Sequence, residues 1–374
     1  MGNLNCYAVV VPGLEGIAAD ELKELAAHDV QMGDGGIAFT STMDGLFRIN
    51  LRSRSITRVL IRLASFRALS FPELYNKAKK VAWSDYIGAD IGLSVRASCS
   101  GSKLMHSGRA EQAIADAVCD KIGFACPQAA HTQQILLRID NNQCTISLDV
   151  SGDRLDRRAY RLHSGKAPLR ETIAASILRW MDWQGGKQKD SQNNEPLLTP
   201  MCGSGTFAIE AVWMAEKRAA GLDHDFPFTH WPSLKQKRWQ RGLDKAANMQ
   251  SVCESKVFAS EWDAGILQQA KDNAAKAGVA EHIHFELLDV RKLTVPDGIT
   301  DAGLIVCNPP YGERIKADVA GLYRQLGKQF KQHFQGWRMA VIVPDKDCEK
   351  ALALPVKKRL KIKHGGRWVT VLHV

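Results

Sequence analysis

Ala302-Gly303-Leu304-Ile305-Val306-Cys307-Asn308-Pro309-Pro310-Tyr311 is the stretch on which the reading of this chain turns. Leu304 to Cys307 is an unbroken apolar run, as expected for a strand buried on both faces of a parallel sheet. Two successive prolines cannot continue a central ladder, so the chain leaves the sheet at Pro309. In an open α/β sheet ligands lie beyond the carboxyl ends of the strands, which puts Asn308 where a substrate would be met. An exocyclic or carboxamide nitrogen is a poor nucleophile because its lone pair is delocalised. The Asn308 side-chain oxygen and the Pro309 carbonyl can accept its two hydrogens and tilt it towards tetrahedral geometry. Tyr311 offers a face on which a planar group can stack. Four residues alone fit a plain strand-end turn equally well.

A second stretch weighs in favour of chemistry. Pro196-Leu197-Leu198-Thr199-Pro200-Met201-Cys202-Gly203-Ser204-Gly205-Thr206 runs into the apolar segment Phe207 to Met214 and reads as strand, glycine turn and helix. Glycines let the backbone approach a ligand closely, and the helix start presents unpaired N–H groups. No Gly-Lys-Ser/Thr ends the turn, so it is not a nucleotide-phosphate loop. Acidic residues follow the next two strand-like runs: Glu261 after Val257-Phe258-Ala259, and Asp289, followed by Val290, after His284 to Leu288.

In that order these features resemble the class I S-adenosylmethionine-dependent methyltransferases that act on amino groups, with Asn-Pro-Pro-Tyr as their catalytic motif. The resemblance implies S-adenosyl-L-methionine as cofactor, held by Thr199, Met201 to Thr206, Glu261 on the ribose, Asp289 and Val290 beside the adenine, and Asn308. It implies a catalytic set of Asn308, Pro309, Pro310 and Tyr311.

The chain has 374 residues and a net charge of +10, with most of the excess after residue 165. That charge favours a polyanionic partner without specifying it. There is no span-length apolar run and no leader-like N-terminus, so a cytoplasmic protein is expected. The nine cysteines contain no Cys-x-x-Cys pair, and His106 has no clustered partner, so no metal is expected.

The first 150 residues read as an α+β unit. Strands are expected at Tyr7 to Val11, Gly36 to Thr40, Ile91 to Val95, Gln134 to Ile139 and Thr145 to Val150, and helices at Leu14 to Leu22 and Ala110 to Ile122. A helix from Asp44 is expected to carry Leu46, Ile49, Ser53, Ile56 and Leu60, with Arg54, Arg58 and Arg62 in one stripe on its other side. That stripe reads as a solvated face or a track for phosphates. Ser102 to His106 resembles the helical entry of a THUMP domain, an RNA-binding module.

Leu148-Asp149-Val150-Ser151-Gly152-Asp153, Arg158-Ala159-Tyr160-Arg161 and Ala167-Pro168-Leu169-Arg170-Glu171-Thr172 resemble the joint between the THUMP and methyltransferase domains of the bacterial ribosomal RNA large subunit methyltransferase L family. The resemblance implies methylation of a guanine N2 amino group in 23S rRNA. It also implies a ferredoxin-like subdomain over residues 1–60, a THUMP domain over 61–155 and a Rossmann-like, seven-stranded methyltransferase domain over 156–374. Two departures stand out: Thr199 replaces an Asp of the glycine turn, and His224 replaces an Arg in Gly221 to Trp231. That segment reads as an insertion into the methyltransferase domain running to about Ser255. A fragment starting near Gly165 is expected to hold the whole cofactor pocket. Rival readings are methylation of tRNA guanine, of a peptide glutamine or of DNA adenine, cytosine-C5 chemistry through Cys307, and a non-catalytic RNA-binding protein.

Overall fold

In a computed structural model of the chain, residues 3–124, 129–163, 168–183, 185, 194–310 and 318–374 are described. The chain folds into two compact units. The first takes in the described residues of Met1–Val10, Ala19–Leu155 and Gly221–Lys245, and the second those of Val11–Ala18, Asp156–Ala220 and Ala246–Val374.

The first unit is built on β1 (Leu4–Val10), β2 (His28–Gly33), β3 (Gly36–Ser41), β4 (Ile56–Arg67), β5 (Gly92–Ser100), β6 (Thr132–Asp140) and β7 (Gln143–Asp149). They form one sheet in the order β2-β3-β1-β4-β7-β6-β5. All pairings are antiparallel except β5 with β6, which are joined through a helical crossover. Helices α1 (Glu15–Glu24), α2 (Met43–Arg52), α3 (Phe71–Ala78) and α4 (Ser107–Ile122) lie between the strands in sequence. The boundary expected at residues 60 and 61 falls inside β4. His106 caps α4, its Nδ1 accepting the Arg109 N–H at 3.2 Å.

The long helix expected from Asp44 is corrected: α2 stops at Arg52, and Ile56 to Arg67 is a strand. The buried Glu21 carboxylate takes the Ser53 hydroxyl at 2.8 Å, the Arg54 N–H at 3.0 Å and the Ser55 N–H at 2.9 Å, which turns the chain there. Ile56, Thr57, Val59 and Ile61 are β-branched and suit the pleated ladder that follows. The arginine stripe therefore does not exist. Arg58 pairs with the buried Asp149 and donates to the Gly152 carbonyl at 2.6 Å, while Arg62 stacks 4.4 Å from the Tyr7 ring centroid.

Residues 221–245 are also placed differently from expectation. They belong to the first unit, where Phe228 stacks on Phe47 at 4.8 Å and the Trp231 indole N–H donates to Gln133 Oε1 at 2.7 Å. His224 bonds the Ser151 carbonyl at 2.7 Å, so the ring at the departing position fastens this segment to the loop after β7.

The second unit holds α5 (Glu171–Trp180), β8 (Leu197–Pro200), α6 (Thr206–Ala215), β9 (Val257–Glu261), α8 (Ala264–Lys276), β10 (Ile283–Leu287), β11 (Leu304–Cys307), α9 (Val319–His333), β12 (Arg338–Val343), α10 (Lys346–Leu352), β13 (Lys358–His364) and β14 (Arg367–His373). Helix α7 (Gln236–Ala247) precedes β9 and falls almost wholly in the first unit. The sheet order is β10-β9-β8-β11-β12-β14-β13, with β8 to β12 parallel and β14 antiparallel. This is the expected doubly wound, Rossmann-like methyltransferase sheet with its closing hairpin. Every residue of β8 and β11 is buried, as the unbroken apolar run of β11 requires, and in β8 the burial takes in Thr199. On one side, Ile305, Cys307, Met339 and Val341 pack with Tyr323, Leu326 and Phe330 of α9.

Residues 11–18 are held against β13. Gly13 has φ +97°, and a Cβ there would stand 2.0 Å from the Lys361 carbonyl oxygen, while Lys363 donates its N–H to Pro12 at 2.9 Å. Gly13→Ala is expected to destabilise this unit by roughly 1–3 kcal/mol, from the positive φ and the overlap together. Urea unfolding followed by tryptophan fluorescence would measure it.

Candidate active site

Strand order reverses between β8 and β11: β8 leads outward to β9 and β10 on one side, and β11 to β12 on the other. Loops leaving these two strands diverge, opening a crevice at their carboxyl ends. The glycine turn leaves β8 and Asn308 leaves β11, so the two stretches that decided the sequence reading flank one crevice. Glu261 ends β9, and Asp289 follows β10 on the same edge.

The turn is tightly built. Met201 has φ +52°, Gly203 +55° and Gly205 +80°, so three of its residues occupy left-handed backbone. Cys202 donates its N–H to the Ser260 carbonyl at 2.9 Å, which locks the turn to β9. The Gly203 N–H reaches Glu261 Oε2 at 3.1 Å, and the Trp262 N–H reaches Oε1 at 3.0 Å. Glu261 is buried, and that burial raises its pKa above the usual carboxylate range despite the N–H groups that stabilise its charge. A Cβ at Gly203 would meet nothing within 4 Å, which leaves open space beside the carboxylate.

Two buried polar atoms at the crevice have no hydrogen-bond partner among the described residues: Thr199 Oγ1 and Asn308 Oδ1. An orphaned buried acceptor costs about 1–3 kcal/mol, so a ligand group that satisfied it would gain that amount. Pro309 is buried and Pro310 half-buried. Tyr311 lies outside the described residues.

Other expected contacts are engaged elsewhere. Asp289 caps the short turn Val290–Lys292 and accepts from Arg291 N at 2.9 Å and Nε at 3.0 Å, and those bonds lower its pKa. The Val290 side chain belongs to the core beside Ile305 and Cys307. Cys307 is fully buried, its Sγ 3.4 Å from the Pro200 carbonyl, and burial drives its pKa far up. A thiol held protonated there is a poor nucleophile.

The residues sequence reasoning missed are those that hold the turn. Arg161 donates to Glu171 Oε1 at 2.8 Å, Ser204 Oγ at 2.7 Å, Thr206 Oγ1 at 2.9 Å and the Leu169 carbonyl at 2.9 Å. Asn273 of α8 is fully buried, accepts the Leu162 N–H at 2.8 Å and donates to the Ser204 carbonyl at 3.0 Å. Arg158 and Tyr160 both bond Glu210 of α6. The sequence signal was the Arg158-to-Arg161 run, read only as a joint between domains. A fragment starting near Gly165 would lack Arg158, Tyr160 and Arg161 and with them these contacts. Trp262, one residue past Glu261 and 69% exposed, was also overlooked.

Family comparison places the geometry. A model of the RMKL-like methyltransferase domain matches residues 158–371, one of the RlmL ferredoxin-like domain residues 5–60, and one of the THUMP domain residues 68–149. This chain belongs to the RMKL-like methyltransferase family. A Synechocystis sp. protein provisionally named as an RNA methyltransferase is 34% identical over 376 residues, covering 98% of this chain and 95% of that protein. The ribosomal RNA large subunit methyltransferase K/L of Shewanella woodyi is 34% identical, covering 97% of this chain and 52% of that protein. The chain thus spans about half the length of the K/L relatives it matches. A provisionally named methyltransferase solved with SAH has a TM-score of 0.89 at 25% identity, covering all of this chain and 98% of that one. A Clostridium difficile 630 protein provisionally called a methylase has a TM-score of 0.88 at 29% identity, with the same coverage.

As a member of this family the protein is a methyltransferase that uses S-adenosyl-L-methionine. The open space at Gly203 beside a buried carboxylate, and the unpartnered Thr199 oxygen, fit such a group.

Removing Arg161 would strand a buried Glu171 carboxylate and free two hydroxyls of the turn. Arg161→Ala is expected to destabilise the protein by about 3–5 kcal/mol. Arg161→Ala with Glu171→Ala should be less damaging than the sum of the single changes, measured by a double-mutant cycle in urea.

Proposed function

We propose that the protein methylates the exocyclic N2 amino group of a guanine in 23S rRNA. The observation that carries this reading is the buried, unpartnered Asn308 Oδ1 at the head of the Asn-Pro-Pro-Tyr motif, on the opposite side of the strand reversal from the glycine turn. The family membership and the K/L relatives' name supply the substrate class, and the THUMP match supports an RNA target. Work on ribosomal RNA is consistent with a cytoplasmic protein. No helix among the described residues is long and apolar enough to cross a membrane.

When bound, the cofactor supplies an electrophilic methyl group on a sulfonium. The backbone of Met201 to Thr206 cradles its methionine part, Thr199 Oγ1 adds a polar contact and Glu261 accepts from the ribose hydroxyls. Asp289 and Val290 border the adenine, for which the exposed Trp262 indole is an added candidate. Asn308 Oδ1 and the Pro309 carbonyl accept the two hydrogens of the target amine, so that its lone pair points at the methyl carbon. Pro310 keeps the Pro309 carbonyl clear of the sheet ladder, and Tyr311 stacks on the flipped base. Alignment supplies most of the acceleration. The methylated nitrogen is a strong acid and passes its extra proton to water, so no strong base is required. Flipping costs a few kcal/mol, offset by RNA contacts made by residues 1–60 and 61–155.

Mass spectrometry of nucleosides from the 23S rRNA and tRNA of a deletion strain tests the substrate. Loss of one N2-methylguanine from 23S rRNA is expected, and loss from tRNA alone would refute the rRNA assignment. Asn308→Ala should lower turnover at least 100-fold with cofactor affinity within about 2-fold of wild type, measured by single-turnover kinetics and calorimetry.

Cofactor affinity should also depend on pH through Glu261. Its carboxylate accepts from both ribose hydroxyls at full strength only when ionised, and its pKa is raised, so affinity should begin to fall, as pH is lowered, above the ~4.3 of an ordinary glutamate. Calorimetry from pH 8 down to pH ~5 should show this decline in wild type. Glu261→Gln should bind about 10- to 100-fold more weakly at pH 8 and vary little across the range.

A further inference from the structure

Outside the crevice, one cluster of metal-ligating side chains stands out among the described residues: His131, just before β6, with Asp225 and His230 from the 221–245 segment. All three belong to the first unit. His131 Nδ1 lies 3.5 Å from Asp225 Oδ2, and His230 Nε2 lies 3.5 Å from Asp225 Oδ1. The three donor atoms lie within 4.8 Å of one another. Around a tetrahedral ion with bonds of about 2.0–2.1 Å, neighbouring ligand atoms stand roughly 3.3–3.5 Å apart, so one imidazole nitrogen and one Asp225 oxygen already have the right span, and the third donor closes in from within 4.8 Å.

One further observation points to an ion at this place. His230 Nε2 is shielded from solvent yet makes no hydrogen bond, and an orphaned ring nitrogen is costly unless something occupies it. The imidazole rings of His131 and His230 stack at 3.7 Å between centroids and 23° between planes. Stacked this way the two in-plane lone pairs run nearly parallel, so the exposed His131 ring must turn about its side-chain bonds to bring both nitrogens onto one ion. The backbone on both sides is fixed: Trp231 follows His230, and its indole bonds Gln133, two residues beyond His131. Both Trp231 and Gln133 are buried. The histidines are thereby held side by side by a contact that does not itself need the ion, as a metal site requires.

We propose that His131, Asp225 and His230 bind one divalent transition metal ion of the zinc class, with water completing its coordination. Two imidazoles and one carboxylate suit Zn²⁺, Ni²⁺ or Co²⁺, and disfavour Mg²⁺, which takes oxygen ligands. The ion fastens the segment after Gly221 to the sheet of the first unit. It plays no part in methyl transfer. The expectation of a metal-free protein weighed His106 alone, and these three side chains come together only through the return of residues 221–245 to the N-terminal unit.

The test is calorimetric titration of the full chain with Zn²⁺ and, separately, Mg²⁺ under reducing conditions, beside Asp225→Asn and His131→Ala. Both substitutions fall on largely exposed side chains, so the fold should persist, and circular dichroism would verify it. Wild type should take up one equivalent of Zn²⁺ that Mg²⁺ does not mimic, with a rise in melting temperature. Each variant should bind that equivalent at least 10-fold more weakly and lose most of the rise. Absence of the equivalent in wild type, or affinity in both variants within about 2-fold of wild type, overturns the proposal.

Discussion

The glycine turn depends on one half-buried cation. Arg161 touches Glu171 of α5, the hydroxyls of Ser204 and Thr206, and the Leu169 carbonyl, joining the strap before α5 to the start of α6. A turn with three residues in left-handed backbone has little intrinsic preference for its shape, and bonds from outside must hold it. Asn273 on one side and the Glu261 carboxylate on the other complete that hold. The turn is therefore braced by the protein itself, and a ligand meeting it would not have to order it.

The same logic runs through the first unit. Its sheet joins what would be two small domains through the long strand β4, which pairs with β1 and β7. The buried Asp149 at the end of β7 is held by Arg58 from β4 and by the N–H groups of Ser151 and Gly152 at 2.9 and 3.2 Å. Residues 221–245 then return to this unit with an aromatic group, Phe226, Trp231 and Trp239 gathered around Phe228, which itself stacks on Phe47. Each ring buries a large apolar area, so a segment that reads as an insertion in the chain is a structural part of the N-terminal sheet.

Much of the candidate site was legible because its parts are local. A strand-ending Pro-Pro, glycines at a turn and acids after apolar runs each report the geometry of a few adjacent residues, and the parallel sheet puts strand ends on one edge. Asp289 shows the limit of such reading. Its position is as expected, while its carboxylate is occupied by Arg291, a neighbour whose side-chain direction no spacing argument conveys.

The failures came where a contact outweighed a pattern. Leu46, Ile49, Ile56 and Leu60 are compatible with helical spacing, yet β-branched residues and the Glu21 carboxylate ended the helix at Arg52. By itself the sequence determined the doubly wound sheet, the order of its chemical motifs and the edge on which they act, because apolar period and turn chemistry are set within a few residues. Tertiary structure alone decided that Arg161 holds the glycine turn, that residues 221–245 belong with the first 155, and that His131 meets Asp225 and His230. Those pairings join residues far apart in the chain, and the free energy that selects them comes from burial and buried hydrogen bonds that exist only once the strands have paired.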